Sequence, residues 1–226
     1  TDSDGTTTDS CLSTSISSRQ LARSSNDYAY GVATDSSGNV YVAGGTNGGL
    51  DGNTNAGNTD LFVVKYNSSG TKQWTRQLGS SSRDSANGVA TDSSGNVYVT
   101  GMTNGGLDGC KNAGIEDLFV VKYNSSGTKQ WTNQLGSSSR DSANDVATDS
   151  SGNIYVTGTT YWELDGNTSA GKADLFVVKY NSSGTKQWTK QLGTSSNDYA
   201  RGVATDSSGN VYVTGYTEGG LDGNTS

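Results

Sequence analysis

Residues 31–44 read GVATDSSGNVYVAG, and nearly the same stretch returns at 88–101, 145–158 and 202–215. Successive copies start 57 residues apart. A second stretch, DLFVVKYNSSGTKQWT, begins at Asp60, Asp117 and Asp174 with the same period. Self-similarity at a fixed period is the sequence signature of a repeat architecture, in which each repeat is one supersecondary unit.

The first stretch predicts a β-hairpin. Val40, Tyr41 and Val42 are β-branched or aromatic, as strands favour, and the small residues of 31–34 suit an inner strand near a crowded axis. The segment 35–38 between them, Asp-Ser-Ser-Gly, is turn chemistry, because Asp accepts hydrogen bonds from the following backbone and Gly adopts positive φ.

The second stretch predicts another hairpin. Residues 61–66 form a nearly continuous apolar run, which is typical of a strand covered on both faces. The turn 67–70, Asn-Ser-Ser-Gly, leads into residues 71–78, which alternate in part and indicate a half-exposed outer strand. Each repeat therefore contains four strands, and no helical periodicity is present.

Four-stranded repeats of this length predict an all-β protein, a β-propeller of about four four-stranded blades. A β-sandwich and an open stack of hairpins are the alternatives. Residues 1–226 form one domain in this interpretation. The blades fall at about 31–82, 88–139 and 145–196, with a fourth from 202–226 plus the N-terminal 1–25.

The fourth blade depends on the N-terminal segment. Gln20 and Leu21 match Gln77 and Leu78, although Ser17 replaces the repeated tryptophan. Pairing within one chain would close a four-bladed ring and is favoured. Pairing with a neighbouring chain would generate a ring or a filament, and a fragment of a longer propeller is the third possibility.

The motifs DSSGNVYVTG and DLFVVKYNSSGTKQWT resemble the bacterial SBBP β-propeller repeat and, more distantly, NHL-type blades. The resemblance covers about residues 26–226. It implies a propeller fold and a setting in secreted or surface proteins, without a shared catalytic motif. The family name refers to seven blades, whereas this sequence holds material for about four.

The composition argues against several classes of function. The chain has no His, which excludes Ser-His-Asp and Cys-His catalysis and His-ligated zinc. A net charge of −7 disfavours nucleic acid, and no apolar run is long enough to span a membrane. Glu116, Glu163 and Glu218 occur singly, without the pairing that glycosidases need. We therefore expect no enzymatic activity.

The loop before the third strand of each repeat is a candidate calcium site. Asp and Asn oxygens separated by Gly suit Ca²⁺, but most would-be ligands change between copies and no EF-hand spacing is present. Closure of turns by the same side chains is the alternative. The carboxylates that persist are Asp51, Asp60, Asp108, Asp117, Asp165 and Asp174.

One loop has chemistry of its own. Tyr161, Trp162 and Glu163 replace the Asn-Gly-Gly found in the first two repeats. An aromatic pair beside an acid could stack on a sugar or anchor a protein partner, or it could pack over the neighbouring loop. The repeated Trp74, Trp131 and Trp188, by contrast, are expected to fill space between blades.

Two further features concern the environment of the protein. Cys11 and Cys110 are the only cysteines, and two thiols in a chain otherwise free of them suit an oxidising compartment and a bridge within or between chains. Sequons begin on repeated turns, where they are either glycosylation acceptors or simply turn composition. They start at Asn67, Asn124, Asn181, Asn167 and Asn224.

Together these features predict a non-enzymatic structural or adhesive propeller, extracellular or on the cell surface. Head-to-tail self-assembly into a filament through its N-terminal strand is the concrete form of this hypothesis. A lectin-like carbohydrate- or protein-binding propeller is the alternative. No cofactor is expected apart from calcium at the candidate loop site. The partners would be further copies of the chain or surface glycans.

Overall fold

The computed structural model describes residues 25–224, and these contain fourteen β-strands and two short 3-10 helices. The strands form three four-stranded sheets and one two-stranded hairpin. The first sheet comprises β1 Asp27–Thr34, β2 Val40–Thr46, β3 Asp60–Tyr66 and β4 Lys72–Leu78. The second comprises β5 Asp84–Thr91, β6 Val97–Thr103, β7 Asp117–Tyr123 and β8 Lys129–Leu135. The third comprises β9 Asp141–Thr148, β10 Ile154–Thr160, β11 Asp174–Tyr180 and β12 Lys186–Leu192. The terminal hairpin comprises β13 Asp198–Thr205 and β14 Val211–Thr217, and the 3-10 helices are Leu107–Gly109 and Leu221–Gly223.

Within each sheet the strands follow chain order and pair antiparallel with their neighbours. The register is the same in every copy, so that Val40 pairs with Tyr66, Val97 with Tyr123 and Ile154 with Tyr180. This architecture confirms the predicted all-β propeller. No helix among the described residues is long and apolar enough to cross a membrane.

The turn between the first two strands is fixed by its aspartate. Asp35 Oδ1 accepts hydrogen bonds from the backbone N–H of Ser37 and Asn39, at 2.9 and 3.0 Å. Asp35 Oδ2 accepts from the Asn39 side chain at 2.7 Å and from the Tyr41 hydroxyl at 2.9 Å. Gly38 adopts φ +75°. The Asx-turn predicted from the sequence is therefore present, and Asp92, Asp149 and Asp206 repeat it.

The first strand of each sheet is longer than the sequence pattern predicts. It begins at Asp27, Asp84, Asp141 and Asp198, four residues before the expected start, and a β-bulge lies inside it. The bulge brings the Ser85 carbonyl onto Gly101 of β6, where a Cβ would overlap it. The predicted blades are thus shifted, and the structure places them at 27–78, 84–135 and 141–192.

Apolar side chains between successive sheets form the core. Tyr41, Leu61 and Val63 of the first sheet pack against Val89 and Phe119 of the second. The other face of the second sheet packs in the same way against the third. Burying such side chains contributes about 1.5–3 kcal/mol for each large one, so every sheet depends on the sheet beside it.

Hydrogen bonds repeat across these junctions. The Thr91 hydroxyl donates to the Thr34 carbonyl at 3.0 Å, and Thr148 and Thr205 each donate to the threonine 57 residues before them. At the outer edge, Trp74 lies on Gly127 in the turn of the next sheet, and its Nε1 donates to the Ser125 carbonyl at 3.3 Å. The tryptophan therefore fills space between blades, as expected.

The two ends of the array are open among the described residues. Val32 of β1 is 70% exposed, whereas the equivalent Val89, Val146 and Val203 are 4–8% exposed. At the other end Tyr212 of β14 is 56% exposed, while its counterparts in complete sheets are almost fully buried. The N-terminal residues 1–24 lie outside the described residues, so their pairing with the terminal hairpin stays a prediction.

We predict that Asp149→Ala lowers the free energy of unfolding by about 1–3 kcal/mol, because four donors lose their acceptor. Desolvation raises the pKa of Asp149, but hydrogen bonds from Asn153, Tyr155 and Ser151 outweigh it and leave the pKa below its usual value. The stabilisation is therefore present above about pH 4 and is lost as the pH falls through the lowered pKa.

Urea unfolding followed by circular dichroism at pH 7 and at pH 3 measures both effects. The matched control is Ser150→Ala, in the same turn but exposed, which should leave stability unchanged. Equal stability of Asp149→Ala and wild type at pH 7 would contradict the role given to this carboxylate.

Candidate functional site

The loop containing Tyr161, Trp162 and Glu163 follows β10 and keeps the main-chain geometry of the other repeats. The Thr160 hydroxyl donates to the Trp162 carbonyl at 2.9 Å, and Thr103 makes the same bond to Gly105. Gln191 Nε2 also donates to the Trp162 carbonyl, at 3.1 Å. The backbone is thus held from two sides, and only the side chains of this loop are specific to the third repeat.

Those side chains differ in what they contact. Tyr161 is hydrogen-bonded to the Tyr199 hydroxyl of the terminal hairpin, and this bond is the main reason that the pKa of Tyr199 rises to about 12. Trp162 is 55% exposed, and Glu163 is exposed. Of the two interpretations made from sequence, Tyr161 matches packing over a neighbouring segment, while Trp162 remains accessible to a ligand.

Sequence reasoning missed three residues that the fold brings to Tyr161. The rings of Tyr199 and Tyr216 stack with centroids 4.8 Å apart. The Arg201 guanidinium lies over both, at 5.9 and 5.4 Å from their centroids. A signal was present, since Arg201 and Tyr216 differ from the residues at the same positions in the other repeats, while Tyr199 shares its identity with Tyr28 alone. We call Tyr161, Tyr199, Arg201 and Tyr216 the aromatic junction.

The loop aspartates predicted as calcium ligands fall into two groups with different partners. Asp51, Asp108 and Asp165 adopt positive φ at the loop tip. They form ion pairs with Lys72, Lys129 and Lys186. Each also accepts a hydrogen bond from a threonine of the outer strand. The hydrogen bond from Lys129 is the main reason that the pKa of Asp108 is lowered.

Asp60, Asp117 and Asp174 are instead buried at the start of the third strand. Asp60 Oδ2 accepts from the Ala56 N–H at 2.8 Å and from Gln77 Nε2 at 2.9 Å, and the two other copies do the same. The Oδ1 atom has no hydrogen-bond partner in the three copies. The two aspartates of each loop thus form hydrogen bonds and ion pairs with different partners. Across residues 25–224 no group of three or more Cys, Asp or Glu side chains is arranged to hold a metal ion.

The remaining candidates stay predictions. Cys110 is half-buried and forms no disulfide with any residue of 25–224, and burial is the main reason that the pKa of its thiol is raised. Cys11 lies outside the described residues, so the bridge between the two stays a prediction. Asn67, Asn124 and Asn181 close their turns by accepting backbone N–H bonds. Asn167 donates its side-chain amide to the Leu164 carbonyl at 2.9 Å.

We predict that millimolar calcium leaves the melting temperature unchanged relative to a chelator. In each loop one buried carboxylate oxygen, Oδ1 of Asp60 or its equivalent, lacks a hydrogen-bond partner, and one such oxygen is too few for a cation that prefers six to eight oxygen ligands. A calcium site filled at a hundred times its Kd would add about 2.7 kcal/mol and raise the melting temperature by several degrees. Differential scanning fluorimetry gives the answer. A rise that disappears in Asp60→Asn would contradict the prediction and assign calcium to this loop.

Comparison with known proteins places this geometry in a family. The chain is 29% identical over 208 residues to the regulatory protein FlaEY of Caulobacter vibrioides, covering 83% of the chain and 22% of that protein. It is 28% identical over 185 residues to the uncharacterized WD repeat-containing protein L264 of Acanthamoeba polyphaga mimivirus, covering 65% of the chain and 13% of that protein. The chain thus spans less than a quarter of the length of either relative.

The SBBP family, described as a beta-propeller repeat, matches residues 18–51, 73–108, 130–161 and 187–222, more than half of the chain. In the structure the second and third matches run from the outermost strand of one sheet through the first two strands of the next. Each of these two matches therefore spans two neighbouring sheets, in agreement with the packing, in which neighbouring sheets bury each other. The protein is a repeat module and belongs to the SBBP beta-propeller repeat family.

Proposed function

We propose that the chain is a non-enzymatic structural or adhesive module, extracellular or on the cell surface, and that its copies associate end to end. The observation that carries the proposal is the exposure of apolar and aromatic side chains at the two open ends, represented by Val32 and Tyr212. Inside the array the equivalent residues are buried against a neighbouring sheet.

The repeat supplies the geometry of such a contact. Tyr41 and Val89 lie in one core cluster, on the facing sides of the first and second sheets. Tyr212 and Val32 are their equivalents at the two free ends. Placing β1 of one copy on the terminal hairpin of another would therefore repeat a packing that the chain already uses. Head-to-tail contacts of this kind generate rings or filaments.

The chemistry of the described residues supports a role without catalysis. The sequence contains no His, and the repeated aspartates are engaged in turns, ion pairs and loop contacts. The two relatives are named as a regulatory protein and a WD repeat-containing protein, and both names are compatible with a role in binding other proteins. The extracellular setting is supported by the cysteine content, because two cysteines in a chain otherwise free of thiols suit an oxidising compartment.

We predict that the wild-type chain forms assemblies whose mass grows with concentration, and that Val32→Asp abolishes them. A charge on this face would have to be desolvated at the contact, whereas in the free chain it stays in water. Size-exclusion chromatography with light scattering measures the mass, and negative-stain microscopy shows the shape. The matched control is Ile115→Asp, which changes a 56% exposed residue away from the ends. A wild-type chain that stays monomeric at every concentration would refute end-to-end assembly.

A second candidate is a lectin-like binding module, favoured by the exposed ring of Trp162 on an anchored backbone. A flat ring held in this way can stack on a sugar or enter a pocket of a protein.

We predict that Trp162→Ala weakens glycan binding about thirtyfold, as expected when ~2 kcal/mol is lost at a hot-spot residue. Tyr161→Phe keeps the ring and removes only the hydroxyl that contacts Tyr199, so it should bind like wild type. Glycan arrays followed by titration calorimetry provide the measurement. Binding that survives Trp162→Ala would remove this loop from consideration.

A further inference from the structure

A cleft of about 370 Å³ lies at the outer edge of the molecule, between the first and second sheets. Arg76 and Leu78 of β4 line one side, and Tyr123, Thr128 and Lys129 of the second sheet line the other. Both sheets have their four strands among the described residues. The volume is at the lower end of the ~300–1,000 Å³ that small-molecule sites occupy, so the cleft suits one small ligand.

The guanidinium of Arg76 is the first feature of this cleft that suits an anion. Its Nε donates to the Gly127 carbonyl at 2.6 Å, and Nη1 and Nη2 donate to the carbonyls of Thr75 and Ser126 at 2.8 and 3.4 Å. A guanidinium has five N–H donors, and these three bonds leave two of them for a ligand. Within residues 25–224 Arg76 forms no ion pair with a carboxylate. The three carbonyls therefore hold the group in place without neutralising it.

The cleft keeps a positive charge when its other ionised groups are counted. Lys129 also lines it, but this lysine forms an ion pair with Asp108. Those two charges cancel, and the charge of Arg76 remains. The whole chain has a net charge of −7, but salt screens charges that lie farther away than about 8 Å at physiological ionic strength. The local charge therefore favours an anionic group over a neutral one.

The hydroxyl of Tyr123 is the second feature. The residue is 2% exposed, and the hydroxyl has no hydrogen-bond partner among the described residues. Burial raises the pKa of Tyr123, and the charge of Arg76 acts against this rise. The hydroxyl therefore keeps its proton at neutral pH and lies in the field of the guanidinium. A buried donor without an acceptor costs free energy, which a ligand oxygen that accepts its hydrogen bond would recover.

The charge is specific to this junction, whereas the framework around it is not. One repeat later Asn133 takes the place of Arg76, and its Nδ2 donates to the Gly184 carbonyl at 2.8 Å. This bond is the equivalent of the one from Arg76 to Gly127. Both junctions between complete sheets thus share the structural hydrogen bond, and only the first adds a cation.

We propose that this cleft binds a small acidic sugar, a uronic acid unit, through its carboxylate. The carboxylate accepts the two remaining N–H groups of Arg76 and the hydroxyl of Tyr123, which becomes accessible when the flexible side chain of Arg76 or Lys129 changes rotamer. A guanidinium matches a carboxylate in shape and forms two parallel hydrogen bonds with it. The C–H face of the sugar ring packs on Leu78, and its hydroxyl groups face Thr128. The proposal depends neither on end-to-end assembly nor on Trp162.

The probe is methyl glucuronide, added to the isotope-labelled full chain at low salt and followed by NMR. We expect saturable shifts of the Gly127 and Thr128 amides, one ligand per chain, and weaker binding as salt is added. Methyl glucoside differs only in lacking the carboxylate, and acetate carries a carboxylate without the ring. Each should bind about tenfold more weakly or worse, because charge-assisted hydrogen bonds or the ring contacts are lost.

Two variants separate a binding role from a structural one. Arg76→Asn should weaken binding about tenfold or more and keep the melting temperature, since asparagine makes the same bond at position 133. Tyr123→Phe removes one hydrogen bond to the ligand and should weaken binding about fivefold. It should leave the melting temperature of the free chain unchanged or higher, because the lost hydroxyl has no partner. A purely structural hydroxyl would instead lower it.

The reciprocal variant tests whether the arginine determines the site. Asn133→Arg places the charge beside Tyr180 and Lys186, the equivalents of Tyr123 and Lys129. We expect this chain to bind a second ligand, with new shifts at the Gly184 amide. Trp162→Ala should leave the binding unchanged, which separates this result from the test of the lectin-like loop.

Four results would overturn the proposal. They are no saturable shifts with methyl glucuronide, equal binding of methyl glucoside or acetate, undiminished binding by Arg76→Asn, and a single ligand on Asn133→Arg.

Discussion

Each four-stranded sheet is apolar on both faces, so it is stable only where neighbours cover it. The second sheet illustrates this requirement, because Phe119 and Val121 face the first sheet while Tyr98 and Val120 face the third. A hydrophobic contact of this kind has no preferred direction. Because the repeats are nearly identical, the same contact recurs between each pair of neighbouring sheets. Hydrogen bonds from the threonine hydroxyls to the threonine carbonyls of the preceding sheet keep successive inner strands in register.

Polar turns make this arrangement possible without a large apolar fraction. The Asp and Asn side chains of the turns satisfy backbone N–H groups locally, and the loop aspartates bind lysines and threonines of the outer strand. Because these local bonds fix the backbone, side chains at other positions can differ between the repeats. Asp145 stands where other repeats have glycine, and its Oδ2 accepts the Val203 N–H of the terminal hairpin at 2.9 Å. This bond and the aromatic junction both join the third sheet to the terminal hairpin, so several residues that differ between the repeats lie where these two elements meet.

The same requirement for a neighbour explains where function is to be sought. Covered faces are alike in every repeat, whereas the ends of the array formed by residues 25–224 present side chains, such as Val32 and Tyr212, whose equivalents are buried elsewhere in the molecule. Apolar end faces favour contact with a like surface.

The sequence by itself determined the period, the four strands of each repeat, the Asx-turn at Asp35 and the packing of Trp74 and Trp131 between blades, because these depend on turn chemistry and on strand composition. The position of the calcium candidates was also readable, but the partners of Asp51 and Asp60 were not, since Lys72 and Gln77 reach them only across the loop. Tertiary structure alone decided the start of the first strand, which depends on a bulge against Gly101, and the contact between Tyr161 and Tyr199. It alone decided which copies of a repeated side chain are exposed among the described residues, such as Val32 compared with Val89, because exposure depends on which neighbours are present, and a periodic sequence is the same in the middle of an array as at its ends.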